Sequence, residues 1–395
     1  MKTDIKNIQL NERETLISEY ETTAKEFIND LPYLQEPYKA RNWGHPWHSM
    51  CSYHGKLKPG IAHFLVEMFT KKGDRILDPL SGVGTIPFEA FLSERVGYGN
   101  DLSKLAYVVT KAKIEYSDRN VIDKIILDLE SYIEKNKKKY DESNTPYKDF
   151  GFNGKIPTYF HPDTYSEILS AREYFMLKGN SINTEEAVVL ASLLHVLHGN
   201  RPYALSRCSH PLTPYAPRGE FEYKNVISHI KNKINLTYQS GMGKSINEGK
   251  AFYGDYINLQ SSGLSGIDAI ITSPPFAGSI KFYIQNWMRL WLVGWEPQSF
   301  KDAEKMFLEA KQKISFDAYS DFFETCYNVL KPNGKVILHL GKTNKIDMAE
   351  ELSKIAAPWF KEVYRGAEIV KDIEKHGIKD KGATTHHQYL FLIKN

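Results

Sequence analysis

Two short stretches carry residue types whose spacing could do chemistry. In "ILDPLSGVGTIPFEA" (residues 76–90) an apolar run ends on Asp78-Pro79, passes through Ser81-Gly82-Val83-Gly84-Thr85 and enters a helical pattern. Glycines at such a turn let the backbone approach a ligand closely, and the helix start offers N–H groups with no intrahelical partner. Asp101 then closes the next strand, "VGYGND", with Leu102 after it. A carboxylate roughly 20 residues beyond a glycine loop is placed to accept from ribose hydroxyls. No Gly-Lys-Ser/Thr follows Gly84, so the loop is not a Walker loop, and Ile86-Pro87 stand where a dinucleotide loop has its third glycine. Asp78 would repel a pyrophosphate but suits the ammonium end of a methionine-like ligand. S-adenosylmethionine fits Asp78, Pro79, Ser81, Gly82, Gly84, Thr85, Asp101 and Leu102 best; a tight turn without ligand is the alternative.

The second stretch, "DAIITSPPFAG" (268–278), runs a buried strand into Ser273-Pro274-Pro275-Phe276. Two prolines remove two ladder donors and fix two φ angles, so the strand must stop there in a rigid turn.

The elements that would position these stretches alternate. Residues 60–71 read as an amphipathic helix, and 74–114 as strand, glycine loop, helix, strand and helix, the βαβ pattern of a parallel sheet. Strands resume at "GKAFYGD" and "GIDAIITSPPF", a helix-turn-strand follows in "SDFFETCYNVLKPNGKVILHLG", and "HHQYLFLIKN" closes the chain as a strand. The fold class is therefore α/β, a Rossmann-like sheet with helices on both faces and a mainly helical insertion. Residues 1–44 form an N-terminal helical extension, 45–115 and 251–395 the catalytic domain, and 116–250 the inserted region. "HHQ" at 386–388 reads as a surface turn.

Bulk composition narrows the class further. Hydrophobic residues make up 42% and charged residues 25%, and 51 Lys+Arg against 48 Asp+Glu give +3, which excludes a polycation but permits a local basic face. Neither an apolar signal core nor a bilayer-length apolar run is present. Cys51, Cys208 and Cys326 are widely spaced and fit neither a disulfide framework nor a zinc site. A cytoplasmic protein without metal or membrane partner is expected.

Together, "DPLSGVGT" and "TSPPF" resemble the amino-group DNA methyltransferases, whose pattern is Asp-Pro-x-x-Gly-x-Gly-Thr with (Asp/Asn/Ser)-Pro-Pro-(Tyr/Phe). "YHGKLKP" (53–59) is similar to that family's Tyr-x-x-Lys-x-x-Pro lead-in, and the stretches 272–295 and 329–341 are similar to segments that follow the catalytic turn. The resemblance covers residues 45–115 and 250–341 and leaves the insertion aside. It departs at Val83, where Ser is usual, and in placing the glycine loop before the Ser-Pro-Pro-Phe turn.

The resemblance implies methyl transfer from S-adenosylmethionine to an exocyclic amine. The Ser273 hydroxyl and the Pro274 carbonyl would grip the amine, held by the proline pair, and Phe276 would stack on a flipped base. Ser at the first position implies cytosine N4 in double-stranded DNA, with adenine N6 as the alternative and a restriction endonuclease as a partner. Guanine-N2 RNA methyltransferases share the same loops but usually carry Asn or Asp where Ser273 stands. The family also implies that Asp255, Tyr256, Lys56 and His54 lie near the cofactor. Tyr283 and Trp287 read either as walls of a base pocket or as core. Arg201, Arg207 and Arg218, interleaved with Tyr203, His210 and Tyr215, suit phosphates and guanine edges. None of the three cysteines follows a proline, so no covalent carbon-5 route is implied.

Overall fold

The computed structural model describes residues 2–40, 43–53, 55–137, 150–241, 249–279, 281–370, 374–375, 378–379 and 384–395. Its centre is a seven-stranded sheet. The strands are β1 (Arg75–Asp78), β2 (Val96–Asp101), β3 (Lys250–Tyr253), β4 (Ile267–Thr272), β5 (Leu330–Thr343), β6 (Phe360–Ile369) and β7 (Thr384–Lys394). Their spatial order is 3-2-1-4-5-7-6. β3 through β5 pair in parallel and β7 runs antiparallel between β5 and β6. A two-residue ladder, Glu374–Lys375 with Ile378–Lys379, lies outside the sheet. This is the Rossmann-like α/β sheet that the alternating pattern implied, as expected too from the resemblance to class I methyltransferases.

Both faces of the sheet are buried, which is why the strands read as near-continuous apolar runs. Side chains alternate across the pleat. Ile76, Ala269, Ile271, Ile337, Tyr389 and Phe391 face one layer, and Leu77, Ile270, Val336, Leu338, Leu390 and Leu392 face the other. Helix α1 (Lys2–Asp30) and α2 (Pro59–Phe69), which starts on a proline at its first position, cover the first layer. The helices Ser320–Val329 and Met348–Ala356 cover the second.

The N-terminal helix belongs to this core. Phe27 is fully buried, and its ring meets Tyr33, Phe69, Tyr389 and Phe391 at 5.0–6.4 Å between centroids. The 386–388 stretch also departs from its reading as a surface turn. It lies inside β7, where His386 pairs with Lys342 and Gln388 is buried against Asp347 and Ala349. Strand pairing with β5 takes up the polar residues that suggested a turn.

α3 (Thr85–Leu92) joins β1 to β2; after β2 come α4 (Lys104–Ile114) and, among the described residues, four α-helices of the insertion: α5 (Arg119–Asn136), α6 (Pro162–Leu177), α7 (Thr184–Val196) and α8 (Val226–Tyr238). Asp118, Asn183 and Asn225 cap α5, α7 and α8, and Asn183 forms a reciprocal capping box with Glu186. Their apolar faces share one core with α4 and with Trp287 and Trp291 of a short helix, Trp287–Leu292. The insertion is thus seated against the segment that follows the Ser-Pro-Pro-Phe turn. Phe27→Ala is expected to cost about 3–5 kcal/mol of stability, measured by denaturant unfolding, because α1 would lose the ring that fastens it to β7.

Candidate functional site

The glycine loop joins β1 to α3 and is held from three sides. Gly82 (φ +50°) and Gly84 (φ +67°) adopt left-handed backbone, and a Cβ on Gly84 would lie 2.7 Å from the Thr110 hydroxyl oxygen. Thr110 of α4 donates to the Gly82 carbonyl (3.1 Å), and the fully buried Lys113 donates to that of Val83 (2.6 Å). Asp101 accepts from the backbone N–H of Gly82 (2.9 Å) with one oxygen and from that of Ser103 (2.8 Å) with the other. The carboxylate expected to meet a ribose therefore also clamps the loop. Asn100 adds a tie that sequence reasoning missed, donating to the carbonyls of Pro79 and Gly254. Ser81 and Thr85 are buried in the turn, and Leu102 is half-buried beside Asp101.

The second motif meets the first at the ends of β1 and β4, which are neighbours in register. The Thr272 hydroxyl donates to Asp78 Oδ1 at 2.6 Å, and Leu80 N–H donates to the same oxygen. Asp78 Oδ2 has no partner among the described residues. Burial pushes the Asp78 carboxyl up to about 7 and that of Asp101 to about 6. A cationic ligand at these two carboxylates would restore what burial takes away.

Beyond Thr272 the turn is fixed by its neighbours. Gln312, held by Tyr319, donates to the Pro275 carbonyl at 3.0 Å. The Pro274 carbonyl accepts no hydrogen bond from any described residue, although Pro274 itself is buried. Ser273 is half-buried, with its Oγ 3.0 Å from His339 Nδ1 on β5. Phe276 lies against Gly341, where a Cβ would approach its ring to 2.6 Å, and against the rings of His339 and His387. One side of the phenyl ring is thus backed by β5 and β7 while the residue keeps part of its surface exposed.

Other expected residues are used for structure. Tyr256 packs in the core against Phe322, and Asp255 caps a 3₁₀ turn by accepting from Ile257 N–H, one residue beyond the Gly254 carbonyl that Asn100 holds. Lys56 donates to the His48 carbonyl (2.9 Å), and His54 lies outside the described residues. Tyr283 is buried among Phe282, Trp295, Phe300 and Phe307, and Trp287 is buried too, so both belong to the core; aromatic residues four apart suit a core face as well as a pocket wall.

In the insertion loop, Arg207 donates to the carbonyls of Gly219 and Thr158 and stacks over the exposed Phe221, which commits two of its five N–H donors to the protein. Tyr203 stacks on His195, and His210 accepts from Leu212 N–H and Thr213 N–H. Arg201, Arg218 and Tyr215 are exposed. Arg289 is the residue that sequence reading overlooked. Fully buried, it donates to the carbonyls of Leu194, Pro211 and Leu212, joining the loop to the helix behind the catalytic turn. No His, Cys, Asp and Glu cluster able to hold a metal occurs among the described residues, and no helix among them is long and apolar enough to cross a membrane.

Residues 46–142 match the family model described as "RMKL-like, methyltransferase domain", well under half of the chain. No curated protein matches by sequence. Among solved structures, TrmN from Thermus thermophilus is 15% identical over 87% of this chain and 50% of its own, with a TM-score of 0.33. The chain thus spans half of TrmN's length. The rRNA methyltransferase AviRa from Streptomyces viridochromogenes is 8% identical over 86% of each chain, with a TM-score of 0.31. An rRNA methylase from Streptococcus thermophilus is 10% identical over 85% of this chain and 94% of its own, with a TM-score of 0.29. Likenesses of this degree say nothing about substrate. The family match makes residues 46–142, which carry the glycine loop, an S-adenosylmethionine-dependent methyltransferase domain.

Cofactor affinity is expected to rise with pH and level off above about pH 7. Below that, Asp78 carries a proton that the ligand's ammonium must displace and Asp101 one that it must lose to accept from both ribose hydroxyls, and each carboxyl contributes up to about tenfold per pH unit below its own value. Calorimetry in buffers of different ionisation enthalpy should show proton release at pH 6, and Asp78→Asn should flatten the part of the profile between pH 6 and 7.

Proposed function

We propose that the protein transfers the methyl group of S-adenosylmethionine to the exocyclic amine of an unpaired base in RNA. The observation that carries this reading is the pair of oxygens, Ser273 Oγ and the Pro274 carbonyl, on a proline-stiffened turn beside Asp78. A base amine is a poor nucleophile because its lone pair is delocalised into the ring. Two acceptors taking its hydrogens draw the nitrogen toward tetrahedral geometry and free the lone pair. That pair forms the N–CH3 bond as the C–S bond breaks, its electrons returning to sulfur to leave a neutral thioether. The methylated nitrogen, briefly cationic and strongly acidic, sheds its extra proton to water. Phe276 offers the base a stacking surface.

RNA is preferred for two reasons. Tyr215, Phe221 and Tyr223 are exposed on the insertion loop near Arg207 and Arg218, a surface suited to bases already out of a helix. The family model that covers the cofactor half is also not that of the DNA amino-methyltransferases. Cytosine N4 in double-stranded DNA, with a restriction endonuclease as a partner, is the second reading, and Ser273 at the head of the turn favours it.

Purified protein would be incubated with S-adenosylmethionine and either total RNA or unmethylated DNA, and the nucleosides read by mass spectrometry. An N-methylated base from RNA alone is the expected product; N4-methylcytosine from DNA would select the second reading, and methyl on carbon or ribose would refute both. Ser273→Ala should lower kcat on the order of 100-fold while cofactor affinity stays within a few-fold; loss of cofactor binding would remove the role assigned to Ser273.

A further inference from the structure

A serine hydroxyl at the head of this turn has an ambiguity that an Asp or Asn oxygen does not. It can donate as well as accept. If its O–H pointed at the substrate amine, it would offer a donor to a donor, and the grip on the amine would fail. Something must therefore take the Ser273 proton away from the substrate.

We infer that His339 is a positioning residue: its Nδ1 accepts the Ser273 O–H, leaving the Ser273 lone pairs as the acceptors for the substrate amine. This rests on the amine-directed reading proposed above. The geometry is direct, with Ser273 Oγ and His339 Nδ1 3.0 Å apart, Ser273 one residue past the end of β4 and His339 on the neighbouring parallel strand β5.

The ring's surroundings select the tautomer. His339 Nε2 is buried and has no hydrogen-bond partner among the described residues. Its ring is enclosed by Phe276 (5.2 Å between centroids), Tyr389 (5.1 Å) and His387 (4.9 Å). An N–H among aromatic rings keeps a weak attraction to their faces, whereas a lone pair there would be repelled. The proton therefore sits on Nε2, and Nδ1 is left as an acceptor. Burial holds the imidazole well below its usual range, with His387 beside it acting in the same direction, so the ring stays neutral. Beyond His387 stands Glu368, hydrogen-bonded to Tyr33, which in turn accepts from Tyr389. Those groups surround the ring without reaching Nδ1.

Two measurements test this. The first needs no turnover. Two-bond 1H–15N spectra of the labelled protein, with His339 identified by the signal lost in His339→Asn, should show the neutral Nε2–H tautomer; an Nδ1–H tautomer or an imidazolium overturns the inference. The second compares His339→Asn, whose oxygen can fall near the place of Nδ1, with His339→Gln, whose oxygen reaches toward the place of Nε2. Both lose the ring, and both should bind cofactor within a few-fold of the wild type. Asn is expected to keep kcat within about tenfold of wild type and Gln to lose on the order of 100-fold, with KM for nucleic acid little changed in either. Equal loss in the two variants, or no loss in either, overturns the role of His339 and leaves the proposed reaction standing. A wild type that methylates no base amine overturns both.

Discussion

One buried hydrogen bond, from the Thr272 hydroxyl to Asp78, joins the two halves of the site. Asp78 closes β1 and opens the glycine loop; Thr272 closes β4 and opens the turn. Parallel pairing of these central strands brings their ends together, and the 2.6 Å contact holds the glycine loop beside the double-proline turn. Everything else supports that pair. α4 holds the loop carbonyls from one side, Gln312 holds the turn from the other, and β5 brings His339 to Ser273.

The cofactor half works at a cost that a ligand relieves. Two carboxyl groups sit deep enough that burial raises both, and the pair of left-handed glycines leaves backbone where side chains would otherwise fill. An empty site of this kind disfavours its own ionised form. A positively charged cofactor supplies the missing partner charge, so binding and deprotonation are one linked event.

The glycine loop and the double-proline turn were legible because each imposes a backbone requirement that few sequences meet by accident. Gly84 cannot carry a Cβ next to Thr110, and Pro274-Pro275 cannot continue a strand. The sheet was legible because its strands, buried on both faces, are apolar runs separated at α/β intervals. Aromatic residues were read less well. Tyr283 and Trp287 have the spacing of a pocket wall and the burial of a core, and only packing separates these roles. His339 stands 66 residues from Ser273, and their contact follows from strand order, which no local pattern encodes. Arg207 looked like a nucleic-acid contact by type, yet neighbouring carbonyls take two of its five N–H donors.

Arg289 grips α7 through the backbone carbonyl of Leu194 and the insertion loop through those of Pro211 and Leu212. Carbonyl oxygens are the same whatever side chain they belong to, so this anchor is blind to the loop's sequence. Residues at the loop's exposed tip, Arg201, Tyr215 and Arg218 among them, can be exchanged without unseating it from the helix behind the turn. Under the proposed function, residues that would choose a target are thereby separated from those that would align the reaction, so a lineage carrying this scaffold could change the first set and leave the second intact.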